Sequence, residues 1–174
     1  MTSEKAVESI SCPACKSDFD SETLRKNLNT CPSCSHHFRM EPWDRIAYLA
    51  DPDSFIEFCK NMKSLNPIAM DGYEEKLTEA TRKSNLSDAV ITGTCTIDKQ
   101  PVVLALMSFS FMGGSMGAAV GEGIVRAAEA AVANKAGLLV IPSSGGARMQ
   151  EAAISLMQMP RTIIATSMVK EAGL

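Results

Sequence analysis

Four cysteines within the first 34 residues constrain this chain more than any other feature of it. Cys12 and Cys15, then Cys31 and Cys34, stand in CPACKSDFDSETLRKNLNTCPSC as C-x2-C-x15-C-x2-C. Each pair forms a tight knuckle that directs two thiolates at one ion, and the spacing falls at the edge of the range used by zinc sites. Four protein ligands leave no open position for water or substrate, so such an ion works structurally. Its binding supplies on the order of 10 kcal/mol to a segment too short to fold on a core of its own. His36 and His37 follow the last knuckle and read as surplus surface residues, because the four cysteines already complete a ligand set. Cys59 and Cys95 read as ordinary buried or half-buried thiols.

The alternative use of paired cysteines, a disulfide framework, belongs to oxidising compartments. The opening stretch MTSEKAVESI has no apolar leader core, and no run approaches the roughly 18 apolar residues of a membrane span. The expectation is therefore a cytoplasmic chain with reduced thiols and no membrane contact. A formal net charge of −3 argues against a protein built to grip phosphate backbone. Aromatic residues make up 5% of the chain, with Trp43 the single tryptophan, so no base-stacking platform is evident.

The chain divides by character into a ribbon at 8–40, a helical and loop connection at 41–87, and an α/β core at 88–174. In the connection, PWDRIAYLA places Pro42 at a helix start, followed by the turn DPDS, which also offers an N-cap. GYEEKLTEATRKSNLSD reads as a solvated helix, with Glu79 four residues before Lys83. From residue 88 the charge density drops. DAVITGTCTI and PVVLALMSFSF, joined by the turn DKQ, form a β-rich pair. GAAVGEGIVRAAEAAVANKAG is a helix with Val120, Ile124, Ala127, Ala128 and Ala131 on one face and Gly137 as its C-cap. LLVI is a short apolar strand. A last helix carries Met149, Ala152, Ala153, Leu156, Met157, Ile163, Ile164 and Met168 along one side and ends at Gly173. Strand and helix in alternation predict parallel pairing. Only three or four strands and two long helices are present, so the core reads as unfinished.

Two glycine-rich loops follow strands, FMGGSMGAAVGEG and SSGGARMQ. Neither is a phosphate P-loop, because Ala147 and Arg148 follow Gly146 where that motif needs Lys and Ser or Thr. Gly145 and Gly146, placed at a helix N-terminus, offer backbone N–H groups to developing negative charge; a plain tight turn fits the local residues equally well. No histidine follows His37, so the core cannot assemble a Ser–His or Cys–His nucleophile. Arg148 suits either an anionic substrate group or an ion pair with Glu151 or Glu122.

The ribbon ending CPSCSHHFRM, then FSFMGGSMGAAVGEGIVRAAE and SSGGARMQEAAISLMQM, in that order across essentially the whole chain, closely resemble the β subunits of bacterial and plastid acetyl-CoA carboxylase carboxyltransferase. The resemblance implies an α/β fold: an N-terminal four-cysteine zinc ribbon followed by the first part of a crotonase-like (ClpP-type) core. It implies transfer of a carboxyl group from carboxybiotin on a carrier protein to acetyl-CoA, giving malonyl-CoA for fatty acid biosynthesis. The partners implied are a carboxyltransferase α subunit, the biotin carboxyl carrier protein and biotin carboxylase. The family's oxyanion-hole pair falls on Gly145 and Gly146, and Gly113, Gly114, Ser115 and Arg148 fall near substrate. The chain departs from the family in two ways. The family's subunit continues well beyond a position like Leu174, so this chain alone is expected to be inactive. Pro160 stands inside the last helix, where it removes the bond to the Leu156 carbonyl and predicts a kink or a break. The competing functions are a carboxyltransferase for another acyl-CoA and a nucleic-acid-binding ribbon. The latter would use Lys16, Arg25, Lys26, His36, His37 and Arg39, interrupted by Asp18, Asp20 and Glu22.

Overall fold

The computed structural model describes residues 9–174. Glu8, the expected first residue of the ribbon, and the stretch before it that was read for a leader lie outside the described residues. The chain separates into two compact units, one ending at Met40 and the other running from Glu41 to Leu174.

In the first unit, β1 (Ser9–Ser11) pairs antiparallel with β2 (Asp18–Asp20), Ile10 opposite Phe19. The first knuckle closes between them: the Lys16 N–H donates to the Cys12 carbonyl at 2.9 Å and the Cys12 N–H to the Ser17 carbonyl at 2.9 Å. The second knuckle repeats this turn, Ser35 donating to Cys31 at 3.0 Å and Cys31 to His36 at 2.8 Å. Lys16 and Ser35 both take left-handed backbone, which bends each knuckle back on itself. Helix α1 (Ser21–Lys26) starts at Asp20, whose carboxylate accepts the Thr23 N–H at 2.6 Å, an N-cap that aspartate supplies well.

The second unit opens with α2 (Pro42–Leu49), where Pro42 occupies the first turn, the one helical position that loses nothing by lacking an N–H. Next come β3 (Ile56–Phe58), α3 (Tyr73–Ser84), β4 (Val90–Ile97) and β5 (Gln100–Met107). The chain continues through α4 (Ala118–Asn134), β6 (Gly137–Ile141) and α5 (Ala153–Glu171). The four strands of this unit form one sheet in the order β3-β4-β5-β6. The parallel pairing expected of strand and helix in alternation forms between β5 and β6, joined through α4, while β3-β4 and β4-β5 are antiparallel. For β4-β5 the reason is the two-residue connection at Asp98 and Lys99, too short for a crossover. Both residues have positive φ, the hairpin geometry that matches strand twist. DPDS does not cap a helix. Instead the Asp51 carboxylate accepts from the Thr96 hydroxyl at 2.5 Å, the Asp98 N–H at 3.0 Å and the Lys99 N–H at 2.9 Å, and so braces that hairpin.

Helix α4 lays Val120, Ile124, Ala127, Ala128 and Ala131, all buried, against β4, β5 and β6. Alanine dominates this face because a close helix-to-sheet approach leaves no room for more. The helix ends at Lys135 in left-handed conformation, and Gly137, expected as the cap, begins β6 instead. Helix α5 packs on α4 through Ser155, Gln158, Ala165 and Val169. The apolar side read from the sequence is therefore not the packed side: Leu156, Met157, Ile163 and Ile164 are 57%, 60%, 64% and 69% exposed. The helix does not break at the exposed Pro160. Gly173 takes a positive φ just past its end, as expected of a terminating glycine. Cys95 is buried, whereas Cys59 is exposed.

Candidate active site

Parallel neighbours deliver the loops after them to the same edge of a sheet. Because β5 and β6 pair in this way, the loop from Ser108 to Gly117 lies beside the loop from Pro142 to Ala152. Backbone bonds tie the two together. The Met116 N–H donates to the Gly146 carbonyl at 2.8 Å, the Arg148 N–H to the Met116 carbonyl at 3.0 Å, and the Gly145 N–H to the Gly113 carbonyl at 2.9 Å. Gly114, at φ +66, passes so close to the Ser143 carbonyl that a Cβ would collide with it. The Gly146 N–H donates to Ser144 Oγ at 3.0 Å. Gly145 and Gly146 do not stand at a helix N-terminus, as the sequence had implied. A bridge at Ala147 and a short 3-10 turn at Met149–Glu151 come between them and α5, so no helix dipole acts on them.

Arg148 ends this arrangement inside the protein, with its side chain fully buried. Nη2 meets Asp88 Oδ1 at 2.7 Å and Nη1 meets Asp88 Oδ2 at 3.1 Å, a bidentate pair. Glu151 Oε1 lies 3.3 Å from Nη1, so of the two ion pairs weighed from sequence the one with Glu151 forms. Glu122 pairs instead with Arg126 and Arg161. The remaining donors reach Ser115 Oγ at 3.0 Å, the Ser115 carbonyl at 2.8 Å and Ser64 Oγ at 3.0 Å. Burial opposes the charge, but Asp88 outweighs it, and the guanidinium holds its proton more tightly than usual. Glu151, also buried, accepts the Tyr73 hydroxyl at 2.6 Å and the Ala118 N–H at 2.6 Å. A carboxylate is thus placed at the N-terminus of α4, where the helix favours it. Removing one member of such a cluster strands buried charge at about 3–5 kcal/mol. The Arg148 side chain therefore clamps the two glycine loops to one another and faces away from the solvent.

The loops border an open cleft of about 810 Å³. Gly113, Ser115, Gly145 and Ala147 form one side and Lys76 and Lys83 of α3 another. Helix α3 was read as merely solvated; its two lysines, seven residues apart and hence on one face, line the cleft. Tyr73, Asp88 and Ser64 were not singled out at all. Nothing in their local sequence marks them, since each acquires its role from Arg148, 60 to 84 residues further on.

The four expected ligand cysteines do come together, their sulfurs all within 4.8 Å of one another. Cys12 lies 3.8 Å from Cys34 and Cys15 lies 3.7 Å from Cys31. A tetrahedron of sulfurs about 2.3 Å from a central ion has edges of about 3.8 Å, so the residues fit a four-thiolate metal. The His36 ring packs edge-on to Phe38 and His37 Nδ1 contacts Thr30 Oγ1, outside this set. The Ser17 side chain lowers the Cys15 thiol to about 6. Although the His36 N–H favours its thiolate, the neighbouring Cys15 holds Cys34 up at about 12.

A family model described as the carboxyl transferase domain matches residues 38–173. The chain belongs to the carboxyl transferase domain family. Within that family it is 48% identical over 164 residues to the acetyl-coenzyme A carboxylase carboxyl transferase subunit beta of Treponema denticola, covering 94% of this chain and 62% of that protein. The subunit of the same name from Paenibacillus sp. is 47% identical over 93% of this chain and 56% of its own length. The chain thus spans little more than half the length of these curated relatives. Among solved carboxyl transferase structures, a transcarboxylase 12S hexamer with methylmalonyl-coenzyme A bound superposes with a TM-score of 0.64 at 30% identity, over 73% of this chain and 23% of that one. A Pseudomonas malonate decarboxylase heterodimer gives 0.56 at 24% identity over 76% and 49%, a likeness of fold. The fold is α/β, a four-cysteine ribbon followed by part of a crotonase-like carboxyl transferase core. Among the described residues no helix is long and apolar enough to cross a membrane.

Proposed function

We propose that this chain is the acetyl-CoA-binding β-type subunit of an acetyl-CoA carboxylase carboxyltransferase, taking part in carboxyl transfer from carboxybiotin to acetyl-CoA to give malonyl-CoA. The observation that carries it is the meeting of two glycine-rich backbone segments, Gly113–Ser115 and Gly145–Gly146, at the edge of one cleft. Similarity to subunits of that name supports the assignment. Deprotonating an acyl thioester places negative charge on its oxygen. Backbone N–H groups at Gly145 and Gly146 are the donors for that oxygen, and each loss of such a donor costs about 3 to 4 kcal/mol. Their present acceptors, the Gly113 carbonyl and Ser144 Oγ, are ones the thioester oxygen would replace.

Carboxybiotin would supply the carboxyl group and, after losing it, a ureido base. This fits a chain whose two histidines both precede residue 38. Gly113, Gly114 and Ser115 contact substrate through backbone, while Arg148 acts on them from behind. On α3, Lys76 and Lys83 share the cleft with Glu75 and Glu79, and Glu79 pairs with Lys83 at 3.2 Å, so this side is balanced in charge. In the ribbon, residues 8–40, Cys12, Cys15, Cys31 and Cys34 hold one structural Zn2+, since four thiolates suit that ion. The stretch 41–87, expected as a connection to a core at 88–174, belongs with that core in one unit from Glu41, adding β3 to its sheet and Ser64 and Tyr73 to the Arg148 cluster. The partners are a carboxyltransferase α subunit, the biotin carboxyl carrier protein and biotin carboxylase, in the cytoplasm.

The test is the reverse reaction. The chain is co-expressed with a carboxyltransferase α subunit, with the remainder of a relative's β subunit supplied in trans, and malonyl-CoA-dependent carboxylation of free biotin is measured. Activity is expected with malonyl-CoA, falling by at least about 100-fold when Gly145 and Gly146 are both replaced by valine, whose side chains keep the thioester oxygen away from the backbone N–H groups. An undiminished rate in that variant sinks the oxyanion assignment, and a preference for another acyl-CoA redirects the substrate.

A further inference from the structure

One peptide in the first glycine loop is oriented against the chemistry of the cleft. The Gly113 carbonyl points at the Gly145 N–H and accepts from it at 2.9 Å, while the Gly114 N–H on the other side of the same peptide plane donates to the Phe111 carbonyl at 2.8 Å. A donor proposed for an oxyanion is therefore covered by an acceptor. Both residues flanking this peptide plane are glycines at positive φ, Gly113 at φ 65 and ψ 22 and Gly114 at φ +66.

We infer that the Gly113–Gly114 peptide turns over, and that in the turned state the Gly114 N–H joins the Gly145 and Gly146 N–H groups as a further donor to the thioester oxygen. As far as it concerns the oxyanion, this rests on the function proposed above. Because the peptide is planar, turning it changes ψ of Gly113 and φ of Gly114 by roughly 180° each and leaves the neighbouring α-carbons nearly in place. Gly114 then enters ordinary negative-φ backbone. Gly113, keeping φ 65, moves to ψ near −160°, a region only glycine occupies. The turn uncovers the Gly145 N–H and aims the Gly114 N–H into the space the carbonyl held. Two facing N–H groups repel unless an oxygen carrying negative charge lies between them. The turned state is thus favoured by the charge that develops in the reaction, and the resting state keeps the donors satisfied without substrate.

Glycine is required at the two positions for different reasons. A Cβ on Gly114 collides with the Ser143 carbonyl, whereas a Cβ on Gly113 meets only the Phe109 ring, at 3.9 Å. Gly113→Ala therefore accepts the resting state and blocks the turned one. The test is residue-resolved amide hydrogen exchange by NMR on the full chain, first alone and then with acetyl-CoA, free CoA serving as control. Alone, the Gly114 and Gly145 amides should exchange at matched rates, because one rotation releases both. Gly113→Ala should slow both at least tenfold and leave the Met116 amide, bonded to Gly146, unchanged. Unequal rates, or exchange untouched by the substitution in a chain with an unaltered amide spectrum elsewhere, overturn the inference. With acetyl-CoA, the Gly114 and Gly145 resonances should shift together in the wild type. A shift at Gly145 with Gly114 still bonded to Phe111 also overturns it. Matched exchange with no response to acetyl-CoA at either amide supports the rotation and overturns the substrate assignment instead.

Discussion

Tyr73 shows how much a single buried hydroxyl reports about this site. Its O–H donates to Glu151 Oε1, and burial first, then that hydrogen bond, push it up to about 12. A tyrosine in the unfolded chain ionises near 10. Between the two values the unfolded state loses a proton that the folded state keeps, so this stability is fully present below about pH 10 and drains away as the pH rises toward 12. Alkaline unfolding monitored by circular dichroism should lose stability across that window, and Tyr73→Phe should flatten the dependence. The same substitution should cost about 1–3 kcal/mol at neutral pH, because Glu151 loses a donor. A dependence that persists in the variant assigns the titration to another group. Arg148 was visible in the sequence as a residue with two possible roles. Which one it plays depends on Asp88, 60 residues away, and no local pattern encodes that meeting.

At the scale of elements, α4 was legible in the side it packs, whereas α5 was legible as a helix ending at Gly173 but not in its packed side. The apolar positions of α4 face a sheet, and its alanines fit that close packing, so periodicity and burial agree. In α5 the packed side mixes Ala165 and Val169 with Ser155 and Gln158; Gln158 Nε2 donates to the Ile154 carbonyl at 2.8 Å, and Gln158 Oε1 accepts from Arg161 at 2.7 Å. Hydrophobic periodicity shows which side of a helix avoids water, not which neighbour is present to cover it. Leu156, Ile163 and Ile164 consequently form an apolar surface of the kind that promotes association. Replacing Ile163 and Ile164 by glutamate should reduce self-association in sedimentation velocity while changing unfolding free energy by no more than about 0.5 kcal/mol per site. A loss of several kcal/mol would mean that this side is packed in solution. The turn chemistry at Asp98 and Lys99 was read correctly as a turn, but its bracing by Asp51 was not, since that aspartate had a plausible local use as a cap.

For the whole molecule, the ribbon and the core draw stability from different sources. The core has a contiguous apolar cluster spread over the sheet and both long helices. Among its described residues the ribbon buries Leu24 beside Cys12 and Cys31 and little other apolar surface. Stripping the metal with a strong chelator should therefore release on the order of 10 kcal/mol of binding energy from the ribbon alone. The amides of β1 and β2 should move to random-coil positions in NMR spectra while those of β4 and β5 hold theirs. A ribbon that survives chelation would show that the four cysteines are not its main support.

The sequence alone determined what depends on short spacings: the two cysteine knuckles, the start of α2 at Pro42, the buried stripe of α4 and the glycine loops after two strands. These follow from backbone geometry and side-chain period, which a few consecutive residues carry in full. Only the tertiary structure decided that β3 joins the sheet antiparallel to β4, that α5 turns its apolar side outward, and that Arg148 joins Asp88, Glu151 and Ser115 behind the two glycine loops. Each of those depends on groups far apart in the chain competing for one buried space, and there the energy of desolvating and pairing charge outweighs any local preference.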